Sequence, residues 1–551
     1  MALRTLYQSF LDSDPSRLRV IAQLWKAELQ SSKKTDMAAE LVTALANAEA
    51  VDRSLETLSA EEREALDDLV RHGGAVPWSI FTRRWGQVRA IGPGRIEREG
   101  LWRDPASAAE SLSIMGWIHR AFDDHIGKPV EMAFVPEELM LYLPAPPPRQ
   151  VTVPPTVEPP PIVLPGDDTL ADDLVTLWSA LQRGDQTREA ILSQLHPPAA
   201  RRLQLLDTLS IEAGWVRRAD NDAVRPVPNA ILGWLQADPW TQWSALAQAW
   251  TTSQAYHDVS LVPTLTPDPV NLWPNEPQRT RQAFLAVAKY CDPAAWYDIG
   301  TFVQYVKETS TDFLRPDGDY DSWAPRDAQS ADPLRGFGAW DAVEGALITD
   351  MISGTMSWLG LVDLGQETPE ALPTAFKLTE AGAALLSGSP PPSFPPPEHL
   401  ALDDYGEILA PARRRYERFQ LSRIAEAIGA PGVYRFRLSP ASVNRAKQQR
   451  ISPDRITDFL KKGTGRKSLP TGMEAAIQRA YQRDEGGHLS RVWVLRVPDP
   501  QILPKPNVQA LVEEQIMPTM ATVFEGHAKQ IIQRLLAEGI LVDITPEDIE
   551  E

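Results

Sequence analysis

In the stretch LSAEEREALDDLVRHGG, Leu66, Leu69 and Val70 recur at helical spacing among charged positions, and Ser59 stands three residues before Glu62. That arrangement predicts a capped amphipathic helix, with Gly73 just past its end. WSIFTRRWG follows as a short second helix. Further along, one alternation recurs. LSIMGWIHRAF, from Leu112 to Phe122, is an apolar helical run that stops at Gly116 and passes into a short strand, and PVEMAFVPEEL supplies a second strand. LSIEAGWVRRA, from Leu209 to Ala219, is followed by VRPVPNAILGWL, and MISGTMSWLGLVDLG, from Met351 to Gly365, by AFKLTEAGAALL. The end of the chain, IIQRLLAEGILVDI, repeats only the first half of the pattern.

Helix, glycine stop, strand, polar turn and returning strand describe the last helix and wing of a winged-helix domain, so three copies predict a tandem array. Two proline-dense segments punctuate the chain: LPAPPPRQVTVPPTVEPPPIVLP, ending at Pro165, and SPPPSFPPPE, from Ser389 to Glu398. Neither is compatible with a helix or a central strand, and both are read as extended spacers. The expected organisation is an N-terminal helical and winged-helix domain over 1–142, a linker over 143–168, and a second winged-helix-like domain over 169–240. A helical region with the third unit follows over 241–388, then a linker over 389–399, a basic module over 400–500 and a C-terminal helical segment over 501–551. The fold class is therefore mainly α with small β wings, in tandem winged-helix-like domains joined to a small basic α/β domain.

A chain of 551 residues exceeds what one hydrophobic core sustains, which agrees with several domains. A single cysteine, Cys291, excludes an internal disulfide framework and a multi-cysteine zinc site. No signal-peptide core and no apolar run of membrane-spanning length is found, so a cytoplasmic protein without membrane contact is expected. Charge changes the picture most. The formal net charge is -19, yet residues 411–496 carry 19 Lys and Arg against 7 Asp and Glu, a net of +12. The rest of the chain is correspondingly near -31. A basic module on an acidic body points to phosphate contact confined to one region.

Within that region Ser439-Pro440 and Ser452-Pro453 each place a capping hydroxyl before a proline at the first helical position. Two short helices are predicted. Val443 and Ala446 form the apolar side of the first, and Ile456, Phe459 and Leu460 that of the second. Arg445, Lys447, Arg450, Lys461 and Lys462 are left for solvent, and the loop KKGTGRKSLP adds Arg466 and Lys467. Gly463 and Gly465 are expected to let the loop backbone approach a phosphate. Arg413, Arg414 and Arg415 are expected to extend the same track.

The run YRFRLSPASVNRA, then SPDRITDFLKK and LPTGMEAAIQRA, resembles the helicase-associated domain of XPB-type helicases and of bacterial proteins related to their N-terminal region. GWIHRAF followed by VEMAFVPEELMLYL resembles the N-terminal part of those bacterial proteins. The resemblance covers about half the chain and implies an accessory domain that acts on DNA in repair or transcription. It does not extend to a motor. GTGRKS has Arg466 between the last glycine and Lys467, which breaks the P-loop pattern, and Asp484-Glu485-Gly486-Gly487-His488 follows a polar helix end instead of an apolar strand. The expectation is a non-enzymatic protein with no cofactor and no metal. It contacts DNA through phosphates with little sequence preference. The alternative is an adaptor that docks a helicase or nuclease supplied by another chain.

Four other groupings are read as structural. His119, Asp123, Asp124 and His125 fall in a predicted turn between wing strands, and Asp317, Asp319 and Asp321 lack the glycine and glutamate of a calcium loop. Cys291 has no histidine near it in sequence and is read as a buried small side chain. The tryptophans at 78, 85, 117, 215, 234, 240, 243 and 250 are read as core, and Trp493, beside Arg491 and Arg496, as the one with the surroundings of a base-stacking residue.

Overall fold

The computed structural model describes residues 3–125, 128–147, 152–184, 187–219, 224–270, 272–388, 391–403, 405–483, 493–523 and 525–542. They are mainly helical, with small antiparallel sheets. The chain divides into two compact units, one of Met1–Arg437 with Phe459–Ser468, the other of Leu438–Asp458 with Leu469–Glu551.

The first unit contains two large apolar cores. One is built from residues between Leu6 and Leu139 around the fully buried Trp117; it includes the predicted helix Ala60–Arg71, with Ser59 and Glu62 closing the capping box. After that helix come the strand Ala75–Pro77, the helix Trp78–Trp85, the helix Ala108–Met115 and the hairpin His119–His125 with Lys128–Phe134. The strand Ala75–Pro77 pairs with Lys128–Phe134, closing a three-stranded sheet. Gly116, at φ 80°, turns the chain out of its helix as the sequence predicts.

The second core repeats this order. Helix Pro277–Ala288, strand Tyr297–Asp298, helix Ile299–Thr309, a helix over 341–356 and the hairpin Val362–Gln366 with Ala375–Leu378 follow one another, and the short first strand again pairs with the last. Between these repeats, helices Thr169–Arg183 and Ala199–Glu212 lead into the shorter hairpin Val216–Arg218 with Val224–Pro226. Tryptophans 117, 215, 234, 243 and 250 are buried, in agreement with their reading as core, and 78, 85 and 240 pack against the two cores from their edges.

The proline segments are extended but do not hang free. Ile162–Leu164 pairs with Val362–Gln366 as an edge strand, Val157 N–H donates to the Trp296 carbonyl at 2.8 Å, and Pro160 fills the space beside Gly365. Pro161 and Pro165 flank this strand without entering it, so no ladder N–H is missing among its three residues. The second segment is held by Arg414, whose guanidinium donates to the carbonyls of Pro397 and Glu398.

The expected basic module over 400–500 is divided between the units. Its four-stranded sheet, ordered Ala401–Leu402, Glu407–Ala410, Tyr434–Arg437 and Glu426–Ala427, belongs to the first unit. In the second unit, strand Trp493–Arg496 pairs with Met520–Val523, which pairs with Val512–Met517. The expected C-terminal helical segment thus holds a hairpin. Val512–Met517 and Met520–Val523 meet at Pro518-Thr519, and Ala521 and Val523 turn inward onto Leu495, Val508, Ile531 and Leu535.

Candidate nucleic-acid interface

The segment 438–468 forms its helices where the Ser-Pro pairs predict them. Ser439 caps Pro440–Gln448 in a capping box with Ser442, and Val443 and Ala446 are buried. Arg450, at φ 60°, ends this helix in the left-handed region, with its N–H on the Lys447 carbonyl. Helix Pro453–Thr464 follows at once, burying Ile456 and Leu460.

At the end of that second helix the structure departs from the sequence reading. Gly465 N–H donates to the Lys462 carbonyl and Arg466 N–H to the Lys461 carbonyl, the paired bonds of a Schellman cap, with Gly465 at φ 67°. Gly463 is buried inside the helix, where a Cβ would lie 2.6 Å from Leu400 Cδ1. Both glycines therefore serve packing and helix termination. GTGRKS leads out of a helix C-terminus, whose carbonyls repel phosphate and favour Lys461 and Lys462.

The predicted cations separate into three groups. Lys447 and Arg450, in the second unit, are exposed, and so are Lys462, Arg466 and Lys467, in the first. None of these five has a carboxylate partner among the described residues; Lys447 Nζ lies 5.4 Å from the Tyr481 ring centroid. Arg445 and Lys461 are half-buried. The third group corrects the prediction. Arg415 is fully buried, with its guanidinium 2.6 Å from Asp168 and 3.0 Å from Asp172 and a further bond to Gln242. Arg413 lies 3.3 Å from Asp168 and over the Phe394 ring, and Arg414 is held by Glu417 and the proline segment. These arginines hold the fold together and do not extend a phosphate track.

Arg418, which the sequence reading passed over, completes this network. It lies 2.7 Å from Asp172 and 3.2 Å from the Tyr434 ring centroid. Burial works to raise the Asp168 pKa, but Arg415 and Arg413 outweigh it and leave it below the usual carboxylate range. The signal for the network was present in TLADDLVTLW. Asp172 and Asp173 sit on a helix that is apolar on nearly every other side, and buried carboxylates require cations. Asp173 likewise takes Arg202 at 2.5 Å and His196 at 2.8 Å.

The helix before each hairpin buries much of its surface. In Ala108–Met115 every residue except Ser113 is buried. Leu347, Met351, Ile352 and Met356 are buried in the helix over 341–356, and in helix Ala199–Glu212 Arg201 is held by Asp350 at 2.6 Å.

The described members of the remaining groupings are placed as follows. His119 is buried, with a ring nitrogen 3.1 Å from the Gly116 carbonyl, and burial and Arg17 push its pKa down to about 3. The Asp124 and His125 side chains lie outside the described residues, as do Asp484 to His488 and Arg491, and no described His, Cys, Asp and Glu cluster fits a metal. The Asp317 carbonyl accepts from Ser79 Oγ at 2.6 Å, and Arg83 pairs with Asp312 at 2.5 Å, so this acidic loop is a contact between the two repeats. Burial pushes the Cys291 thiol up to about 12. Trp493 packs on the apolar core of the second unit. No described helix is long and apolar enough to cross a membrane. No family model matches the chain, and no curated protein is significantly similar to it.

Proposed function

We propose that the protein is a non-catalytic DNA-binding or helicase-accessory protein, serving repair or transcription, that touches phosphates through cations of the segment 445–467. The observation that carries this reading is the state of Lys447, Arg450, Lys462, Arg466 and Lys467. They are exposed, with no carboxylate partner among the described residues, in a protein that pairs Arg83, Arg89, Arg202, Arg281, Arg315 and Arg415 with acids. Exposed cations of this kind release counterions from a nucleic-acid backbone without reading bases. The two repeats with matching strand and helix order are read as winged-helix units. Their buried third helices make them a scaffold instead of groove readers.

That burial also favours a second reading, in which the acidic body docks a helicase or nuclease supplied by another chain. The test is a salt titration of full-length protein against a labelled random-sequence duplex. Replacing Lys462, Arg466 and Lys467 together by Gln should lower the log-log salt slope by roughly 2 to 3 and leave the unfolding midpoint in place. An unchanged slope overturns the phosphate assignment, and a partner capture that survives nuclease treatment then favours docking.

A further inference from the structure

The first unit contains a cavity of about 410 Å³ between helix Pro15–Leu24, the loop leading to Pro93, helix Ala108–Met115 and strand His119–His125. Its walls are apolar at Val20, Ile91, Ile96 and Ile114. Three arginines line it, and they are not equivalent. Arg89 is neutralised by Glu110 at 2.7 Å, and Glu110 also accepts from the Ala106 N–H. Arg120 is neutralised by Glu131 at 2.6 Å and lies over the Trp78 ring. Arg17 has no carboxylate partner among the described residues. Among the described residues its guanidinium makes one hydrogen bond, from Nη2 to the Ser113 carbonyl at 2.8 Å, and burial, with Arg120 nearby, lowers its pKa. His119, held neutral beside it, supplies no charge. Arg17, Ser113 and Arg120 also border a second cavity of about 110 Å³, whose one carboxylate, Asp12, is paired with Arg4.

Arg17 is half-buried; a guanidinium partly withdrawn from water with no counter-anion among the described residues carries a cost, and an anion bound against it removes that cost. The local charge sets the anion's valence. One unmatched cation stands beside an ion pair containing Glu110, which suits a monoanion and disfavours a phosphate dianion. A guanidinium fork matches the two oxygens of a carboxylate, and the apolar walls suit a short hydrocarbon body in a cavity of ordinary ligand size. We propose that this cavity binds a small apolar carboxylate, with Arg17 as its anion partner and Val20, Ile91, Ile96 and Ile114 around its apolar body. The inference is independent of nucleic-acid contact by the basic segment.

The test uses the full chain with hexanoate, hexanol and inorganic phosphate as probes, read by ligand-observed saturation transfer and by titration calorimetry. Hexanoate is expected to bind saturably below about 10 mM, whereas hexanol and phosphate do not. Arg17→Met should weaken hexanoate at least about tenfold without lowering the melting temperature of the unliganded protein. Ile96→Glu, which sets a carboxylate in the wall and leaves Arg17 in place, should exclude hexanoate as well. The same chemistry is carried by the free terminus of a peptide. Tighter binding of acetyl-glycyl-leucine than of hexanoate assigns the ligand to a chain end, and the reverse order assigns it to a free acid. Absence of saturable binding by both acids overturns the proposal, as does undiminished binding in the two variants.

Discussion

Two runs of positive charge in one stretch of sequence meet opposite fates. Arg413, Arg414, Arg415 and Arg418 lie against Asp168, Asp172, Glu417 and the proline segment, and they fasten helix Arg415–Ile424 to helix Thr169–Arg183. Arg450, Lys462, Arg466 and Lys467 stand in solvent with no such partner among the described residues. Both runs read as basic surface from composition. The difference lies in what each meets: the first faces carboxylates carried by an otherwise apolar helix, and the second follows helix ends whose apolar sides are already used. Positive charge in a sequence therefore says little about phosphate until each cation's carboxylate is accounted for.

Breaking the buried run should have the largest effect. Arg415→Ala leaves Asp168 and Asp172 without their shared cation and is expected to cost about 3 to 5 kcal/mol in urea unfolding. A loss below about 1 kcal/mol would erase the distinction between the runs. A second ion pair gives a pH signature. Burial raises the Asp350 pKa to about 6 despite Arg201. The folded protein therefore holds this proton more tightly than the unfolded chain, so its contribution is complete below the unfolded value and is lost as pH rises through about 6. Asp350→Asn should remove a fall in stability on the order of 2 kcal/mol between pH 4 and pH 7, seen as a flatter profile of melting temperature against pH.

Gly463→Ala separates packing from phosphate contact. The added methyl would press on Leu400, so a loss of about 1 to 3 kcal/mol is expected with no change in the salt slope of DNA binding. A changed slope at unchanged stability would return this glycine to the interface. The smallest effect belongs to the exposed run. Arg450→Gln and Lys467→Gln, each alone, should shift stability by no more than about 0.5 kcal/mol. Each should reduce the salt slope by about 0.9 if its side chain touches a phosphate.

Local order was legible where one side chain or one glycine decides it. Ser59, Ser439 and Ser452 mark their helix starts, and Gly116, Gly214 and Gly360 end helices before hairpins at positive φ. These are contacts within a few residues of chain, which spacing records directly. Strand Val512–Met517 is hard to read because its three polar residues fall in one run and five of its six residues are exposed, so it carries little hydrophobic alternation. The repeats were legible as hairpins; the pairing of Tyr297–Asp298 with Ala375–Leu378 was not, since two residues of strand leave no period.

The candidate interface divides in the same way. Short-range patterning sets where the helices of the basic segment begin and which of their sides are apolar, and composition places the positive charge between residues 411 and 496. Tertiary structure alone decided which cations remain free. Arg415 and Arg418 are claimed by carboxylates more than two hundred residues away in sequence, and Leu400 is packed on Gly463. The physical reason is that capping and helix termination depend on neighbours in the chain, whereas the neutralisation of a buried charge depends on whatever acid the fold brings within about 3 Å of it.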